Sequence, residues 1–216
     1  MDRWASFDCY GTLIDWDGGV RAELARVFDE SEADELLLRY HELEPELQRD
    51  GSRSYREVLT EAMRQLGVAA GSEHGLAASL PGWRAFPEVH GALEELRRRG
   101  WRLAILSNTD DDFIAASQVQ IGVPFDEVVV AQEIGSYKPA HRHWEVFRAR
   151  THAPAAGHVH VAASLFHDIV PATALGLRTV WINREAASAG EALPTRELPD
   201  LLALPETLDE LVPAAP

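Results

Sequence analysis

The sequence predicts an α/β fold: a doubly wound parallel sheet of Rossmann-like form, with a helical cap inserted after its first strand. Three observations lead there. From residue 87 onward, short apolar runs alternate with amphipathic stretches, the rhythm of right-handed βαβ units. Between residues 16 and 81 the apolar period is helical, with no convincing strand. Four polar clusters close successive apolar runs, where an open α/β sheet binds its ligands. The division that follows is a core of residues 1–15 and 82–216 and a cap of residues 16–81.

Taken in order, Trp4 to Cys9 is an apolar strand interrupted by Ser6, ending in Asp8-Cys9-Tyr10-Gly11-Thr12. Asp17-Gly18-Gly19 is a hinge into the cap. Val20, Leu24, Val27 and Phe28 then recur at helical spacing, as do Leu36, Leu37, Tyr40, Leu43 and Leu47. Val58, Leu59, Met63 and Leu66 form a third helix, stopped by Gly67, and Pro81-Gly82 is the hinge back. In the core, a helix over Glu88–Arg99 closes at Gly100 and precedes a buried strand, Trp101–Leu106. Helix Asp110–Gln120, strand Glu127–Val130, helix His141–Arg150 and strand His158–Ala162 follow. Helix Ile169–Leu175 and strand Thr179–Ile182 complete the alternation, and a Pro-rich tail wraps the surface around one short helix. No internal repeat is present.

Composition narrows the function. The 216 residues carry 20 Lys plus Arg against 35 Asp plus Glu, a formal charge of −15, with 46% hydrophobic content. That content suits a folded globular chain, and this length encloses a substantial core. Strong acidity argues against a nucleic-acid partner, which is held by Lys and Arg on phosphates. It leaves room for a small anionic substrate, because a site needs only one or two well-aimed cations. The single cysteine, Cys9, forms no internal disulfide, so a reducing cytoplasm is the expected location. No signal-like N-terminus occurs, and no apolar run approaches the ~20 residues of a membrane helix.

The four polar clusters are Asp8-Cys9-Tyr10-Gly11-Thr12, Ser107-Asn108-Thr109-Asp110, Lys138-Pro139, and Ser164 with His167-Asp168. Each alone is weak, but their order on successive βα units aims them at one point. With Phe7-Asp8-Cys9-Tyr10-Gly11-Thr12-Leu13, Leu106-Ser107-Asn108, Tyr137-Lys138-Pro139 and Ser164-Leu165-Phe166-His167-Asp168, the chain resembles the haloacid dehalogenase superfamily and, within it, the type II 2-haloacid dehalogenases. The resemblance spans essentially the whole chain, cap included. It implies a hydrolase on short 2-haloacids, working through a covalent aspartyl ester that water converts to a 2-hydroxy acid, without a metal cofactor. It also implies a homodimer, for which the sequence points to no interface.

Under that reading Asp8 is the nucleophile. Lys138 keeps it ionised by opposite charge, and Asp168 pairs with Lys138 and helps position or activate water. Thr12 hydrogen-bonds the Asp8 carboxylate, and Ser107 and Asn108 bind the substrate carboxylate and the leaving group. Arg39, in a predicted helix Glu35–Leu47, stands at the spacing where type II dehalogenases place a halide-binding arginine; an exposed helical arginine is the alternative. Trp144 either walls the pocket or packs in the core.

Tyr10 decides between reactions. Phosphatases of this superfamily carry a second aspartate there to protonate a departing alcohol, which a halide does not require. The fourth cluster holds one acid where a magnesium site usually wants more. A Mg²⁺-dependent phosphatase on a small phosphorylated metabolite remains the enzymatic alternative, and a non-catalytic binding protein on this fold the other. Ala163 and Leu165 stand where well-known dehalogenases carry a serine and an asparagine near the water. That leaves Ser164, His167 and Asp168 as the local polar groups, with His167 either a base near neutral pH or a structural hydrogen-bond partner.

Overall fold

The computed structural model describes residues 2–214. Strand β1 (Arg3–Phe7) is followed by helices α1 (Trp16–Val27), α2 (Ala33–Gln48), α3 (Tyr55–Leu66) and α4 (Gly75–Ser79), with a 3₁₀ turn at Leu80–Gly82. Alternation then runs α5 (Val89–Arg98), β2 (Trp101–Ser107), α6 (Asp111–Ile121), β3 (Glu127–Val130), α7 (Ala131–Ile134), α8 (Arg142–Thr151) and β4 (His158–Ala162). A π-helical turn at Leu165–Ile169 leads into α9 (Val170–Ala174), then β5 (Arg178–Ile182), β6 (Arg196–Leu198) and α10 (Leu204–Leu211).

The six strands form one parallel sheet in the order β3-β2-β1-β4-β5-β6. Strand order reverses at β1, so the crevice beyond the carboxyl ends of β1, β2 and β4 is the topological switch point where such sheets bind ligands. Side chains alternate across the sheet. Ala5, Phe7, Leu103, Ile105, Val159 and Val161 join the larger core, while Trp4, Ala104, Leu106 and Val129 pack with Trp144 and Phe147 on the opposite face. Both faces are buried, as parallel sheets require.

Helix α3 shows why the cap folds locally. Ser54 and Glu57 form a reciprocal capping box, and Val58, Leu59, Ala62, Met63 and Leu66 are buried on one face. Gly67 ends the helix at φ 89°, a left-handed conformation that glycine adopts without cost. Helices α1 to α4 pack on one another over the carboxyl ends of the strands, whereas α5 lies against β2 and α10.

Several elements differ from the sequence reading. Strand β6 was not expected: it has three residues, mostly exposed, at the sheet edge. The segment expected as a helix from Ile169 begins earlier, with the π-helical turn that carries His167 and Asp168. Cys9 is fully buried in the larger core, a free thiol used in packing. Among the described residues, no helix is long and apolar enough to cross a membrane.

Candidate active site

Asp8 lies one residue beyond β1, and its backbone N–H still reaches the Val161 carbonyl at 3.1 Å, so the sheet ladder fixes its position. The chain then turns sharply: the N–H groups of Leu13 and Ile14 both return to the Cys9 carbonyl, at 2.7 and 2.9 Å. Gly11 makes the turn possible at φ 83°, in the left-handed region. The turn brings Thr12 back under Asp8. Its Oγ1 donates to Asp8 Oδ2 at 3.0 Å and accepts from the Ala163 N–H at 2.9 Å, tying the β1 loop to the loop after β4.

Lys138 enters from the loop between α7 and α8 and is almost wholly buried. Its Nζ donates to Asp8 Oδ1 at 2.8 Å, to Asp168 Oδ1 at 2.7 Å and to the Leu106 carbonyl at 2.8 Å, which uses all three of its protons. Asp168 Oδ1 is also bonded to His160 Nε2 at 2.9 Å, and Oδ2 has no protein partner. His160 in turn meets Ser6 Oγ at 2.8 Å, and Ser6 meets His158 at 2.6 Å. These three share one face of β1 and β4, so a buried polar chain runs along that face of the sheet to Asp168.

The electrostatics follow from burial and the one cation. Burial raises the Asp8 pKa above the ordinary carboxylate range; the Lys138 ammonium pulls it back and the Asp168 charge pushes it up again. Burial also acts on Asp168, but Lys138 and His160 together win and hold it at about 2. Lys138 is disfavoured as a cation by burial, yet its two carboxylate neighbours raise its pKa. Asp8 is thus a desolvated carboxylate at the floor of the cleft, gripped on both oxygens.

A cleft of about 270 Å³ opens above it. Floor residues are Asp8, Ser107, Asn108, Lys138, Ser164, His167 and Asp168; the cap contributes Trp16, His41, Glu44, Pro45, Gln48 and Tyr55. Ser107 Oγ is buried without a protein partner. Asn108 is committed: Nδ2 donates to Gln48 Oε1 and to the Lys138 carbonyl, and Oδ1 accepts from the Lys138 N–H at 2.7 Å. It therefore braces the lysine loop and latches α2 to the core. Tyr10 lines the cleft with its ring, stacked on Tyr55 at 6.0 Å, while its hydroxyl turns to Ser117 at 3.1 Å.

Arg39 is not brought to the site. It is exposed and lies outside the cleft lining. On an α-helix, two residues turn by roughly 200°, so Arg39 and His41 face opposite ways. The cleft-facing residues are His41, Glu44, Pro45 and Gln48, at intervals of three and four, a helical-face signal the sequence carries. Trp144 likewise packs away from the cleft, edge-on to His160 at 5.2 Å. Glu44 is nearly buried, with Gln48 Nε2 donating to its Oε1, and burial pushes its pKa up to about 7. His41 bonds Asp17 at 2.8 Å and stacks on Trp16; the Asp17 carboxylate raises its pKa.

The donor set does not fit a divalent cation. The two carboxylates that would hold it, Asp8 and Asp168, share the Lys138 ammonium, and the position two residues after Asp8 is tyrosine. No group of three or more His, Cys, Asp or Glu side chains with metal-binding geometry occurs among the described residues.

A family model for haloacid dehalogenase-like hydrolases matches residues 3–201. The chain belongs to this family. This haloacid dehalogenase-like hydrolase is 29% identical over 194 residues to (S)-2-haloacid dehalogenase 4A of Burkholderia cepacia, covering 85% of this chain and 84% of the relative. It is 30% identical over 190 residues to haloacetate dehalogenase H-2 of Moraxella sp. (strain B), covering 83% and 84%. Its fold also matches an L-2-haloacid dehalogenase from Xanthobacter autotrophicus with a TM-score of 0.82 at 19% identity, over 96% of this chain and 98% of that one.

Proposed function

We propose that this hydrolase removes halide from short 2-haloacids through a covalent ester on Asp8. The observation that carries the reading is the Lys138 bridge: a buried ammonium holds Asp8 ionised at 2.8 Å, at the floor of a cleft, with tyrosine and no acid two residues on. A desolvated carboxylate is a good nucleophile toward carbon. A departing halide is a weak base and leaves without a proton, whereas an alkoxide requires an acid where Tyr10 stands. The similarity to two named dehalogenases supports the same choice. So does the Xanthobacter autotrophicus enzyme, whose structure has been solved with chloropropionic acid covalently bound.

One Asp8 oxygen attacks the carbon bearing the halogen, in line and with inversion, and the halide leaves with the bonding pair. Thr12 and Lys138 hold the carboxylate for the attack. With Arg39 turned away, the buried Ser107 hydroxyl receives the substrate carboxylate, and the Tyr10 and Tyr55 rings wall the carbon chain. Water then hydrolyses the ester to a 2-hydroxy acid and restores Asp8.

The test is halide release from 2-chloropropionate, chloroacetate and fluoroacetate without added metal, beside p-nitrophenyl phosphate hydrolysis with Mg²⁺. Halide release that disappears in Asp8→Asn is expected. Phosphatase turnover that depends on Asp8, with no halide from any haloacid, would overturn the reading.

A further inference from the structure

The second half-reaction requires a base, and few groups in the cleft qualify. Asp8 is esterified at that stage. Lys138 is a cation with every proton committed. Asp168 is held at about 2 by Lys138 and His160, which makes it a weak proton acceptor. Glu44 and His41 lie on the cap side, and His41 is already bonded to Asp17.

His167 is different. It is half-buried, lines the floor of the cleft with Asp8 and Ser164, and sits on the π-helical turn just before Asp168. Ser164 Oγ accepts from its backbone N–H at 3.1 Å and meets ring Nδ1 at 3.2 Å, while Phe166 packs edge-on against the ring at 4.9 Å. In the tautomer whose Nδ1–H donates to Ser164 Oγ, Nε2 carries the free lone pair on a ring that lines the cleft. Burial lowers the ring's pKa and Lys138 adds to this, outweighing the attraction of Asp168 and Asp8, so the imidazole is neutral at pH 7. A neutral, oriented imidazole with a free nitrogen is what a general base needs.

We propose that His167 is the catalytic base of ester hydrolysis, taking a proton from the attacking water at Nε2, with Ser164 as its positioning residue. The proposal rests on the dehalogenase reading. The water oxygen bonds to Asp8 Cγ while its proton passes to Nε2. Collapse of the tetrahedral intermediate breaks the bond from Cγ to the alkyl oxygen. The departing 2-hydroxy acid oxygen takes the proton back from His167. Asp8 is left as a carboxylic acid, loses its proton to solvent and returns to its Lys138 partner.

The experiment mixes excess 2-chloropropionate with native protein, His167→Asn, His167→Ala and Ser164→Ala. It measures halide released per protein molecule in the first turnover, steady-state rate, and the mass of the Asp8 peptide after acid quench. Circular dichroism and thermal melting establish that each variant is folded. His167→Asn should release about one halide per molecule, keep the carboxyalkyl group on Asp8, and turn over roughly 10²-fold or more slowly. Ser164→Ala, which keeps the ring, should accumulate the same ester to a smaller extent. Imidazole in the buffer should restore part of the His167→Ala rate. Native-like turnover in folded His167→Asn with no ester would overturn the His167 assignment alone, and native-like turnover in Ser164→Ala would overturn the positioning role of Ser164. Native protein that releases no halide from any haloacid would overturn the dehalogenase reading, and this assignment with it.

Discussion

Glu44 puts a second ionisable carboxyl over the cleft that Asp8 lines, and burial pushes its pKa up to about 7. At pH 6 it is mostly neutral; by pH 8 it is mostly a carboxylate. His41, whose pKa is raised by Asp17, loses positive charge as pH climbs, so both changes act against an anion. KM for a 2-haloacid should therefore rise roughly three- to tenfold between pH 6 and pH 8.5, the scale of one unit charge across a partly solvated cleft. Glu44→Gln should flatten most of that rise, leaving the His41 part, and steady-state kinetics across pH would show it. The same group costs stability. Its folded pKa lies above the unfolded value near 4.5, so the folded state holds more protons between about pH 4.5 and 7, and stability falls as pH rises through that window. Above pH 7, Glu44→Gln should be more stable than the native chain by on the order of 1–3 kcal/mol, measured by urea unfolding.

At the scale of elements, the seating of α3 depends on Asp110. That residue precedes α6 but gives its carboxylate to the start of α3, accepting from the Tyr55 N–H at 2.8 Å and the Arg56 N–H at 2.9 Å. A core residue thus caps a cap helix, and the helix dipole favours its charge. Asp110→Ala should cost about 1–2 kcal/mol and lower Tm by roughly 3–6 °C in differential scanning calorimetry. Because Tyr55 walls the cleft, KM should rise as well; unchanged Tm and KM would contradict the tether. None of this coupling is legible in the sequence, where Asp110 reads as an ordinary helix start. What the sequence does carry is elements with strong periodicity or apolar runs: Glu127–Val130 and His158–Ala162 have the expected bounds, and other core elements shift by a residue or two. Short or polar pieces escaped it, because α4, α7 and β6 have only five, four and three residues. Motif residues at strand ends are placed by the sheet itself, so Asp8, Lys138 and Asp168 converge as their order implied. A cap residue depends on helix phase. Family spacing pointed to Arg39, and the rotation of α2 presents His41, Glu44 and Gln48 instead.

Across the whole molecule, buried neutral histidines make the fold sensitive to acid. His143 and His158 are buried, and desolvation depresses both to about 3. His143 Nε2 is bonded to the Ser107 carbonyl and His158 Nε2 to Ser6, so both serve the fold as neutral rings. Unfolding restores a histidine pKa near 6.5, so between about pH 6.5 and 3 the unfolded chain binds more protons and stability is lost as pH falls. Glu44 opposes this between about 4.5 and 7, where the folded state is the one that holds its proton. Two deeply depressed histidines against one glutamate leave about one net proton, or roughly 1.4 kcal/mol per pH unit from 6.5 down to 4.5, and His167, also lowered by burial, adds to the loss. Below 4.5 the Glu44 opposition ends and the slope should steepen; Asp168, held at about 2, adds to it below 3.8, against Asp8 and Asp110, whose pKa values burial raises. Acidification also reduces the formal charge of −15, which relieves self-repulsion, so the melts belong in about 0.15 M salt where that term is screened. Tm should then fall by roughly 3–5 °C per unit between pH 6.5 and 4.5. In Glu44→Gln the fall over the same interval should be distinctly steeper, because the proton that Glu44 holds in the folded state is gone. A native Tm that stays level from pH 6.5 to 4.5 would mean that these buried rings titrate as they do in the unfolded chain.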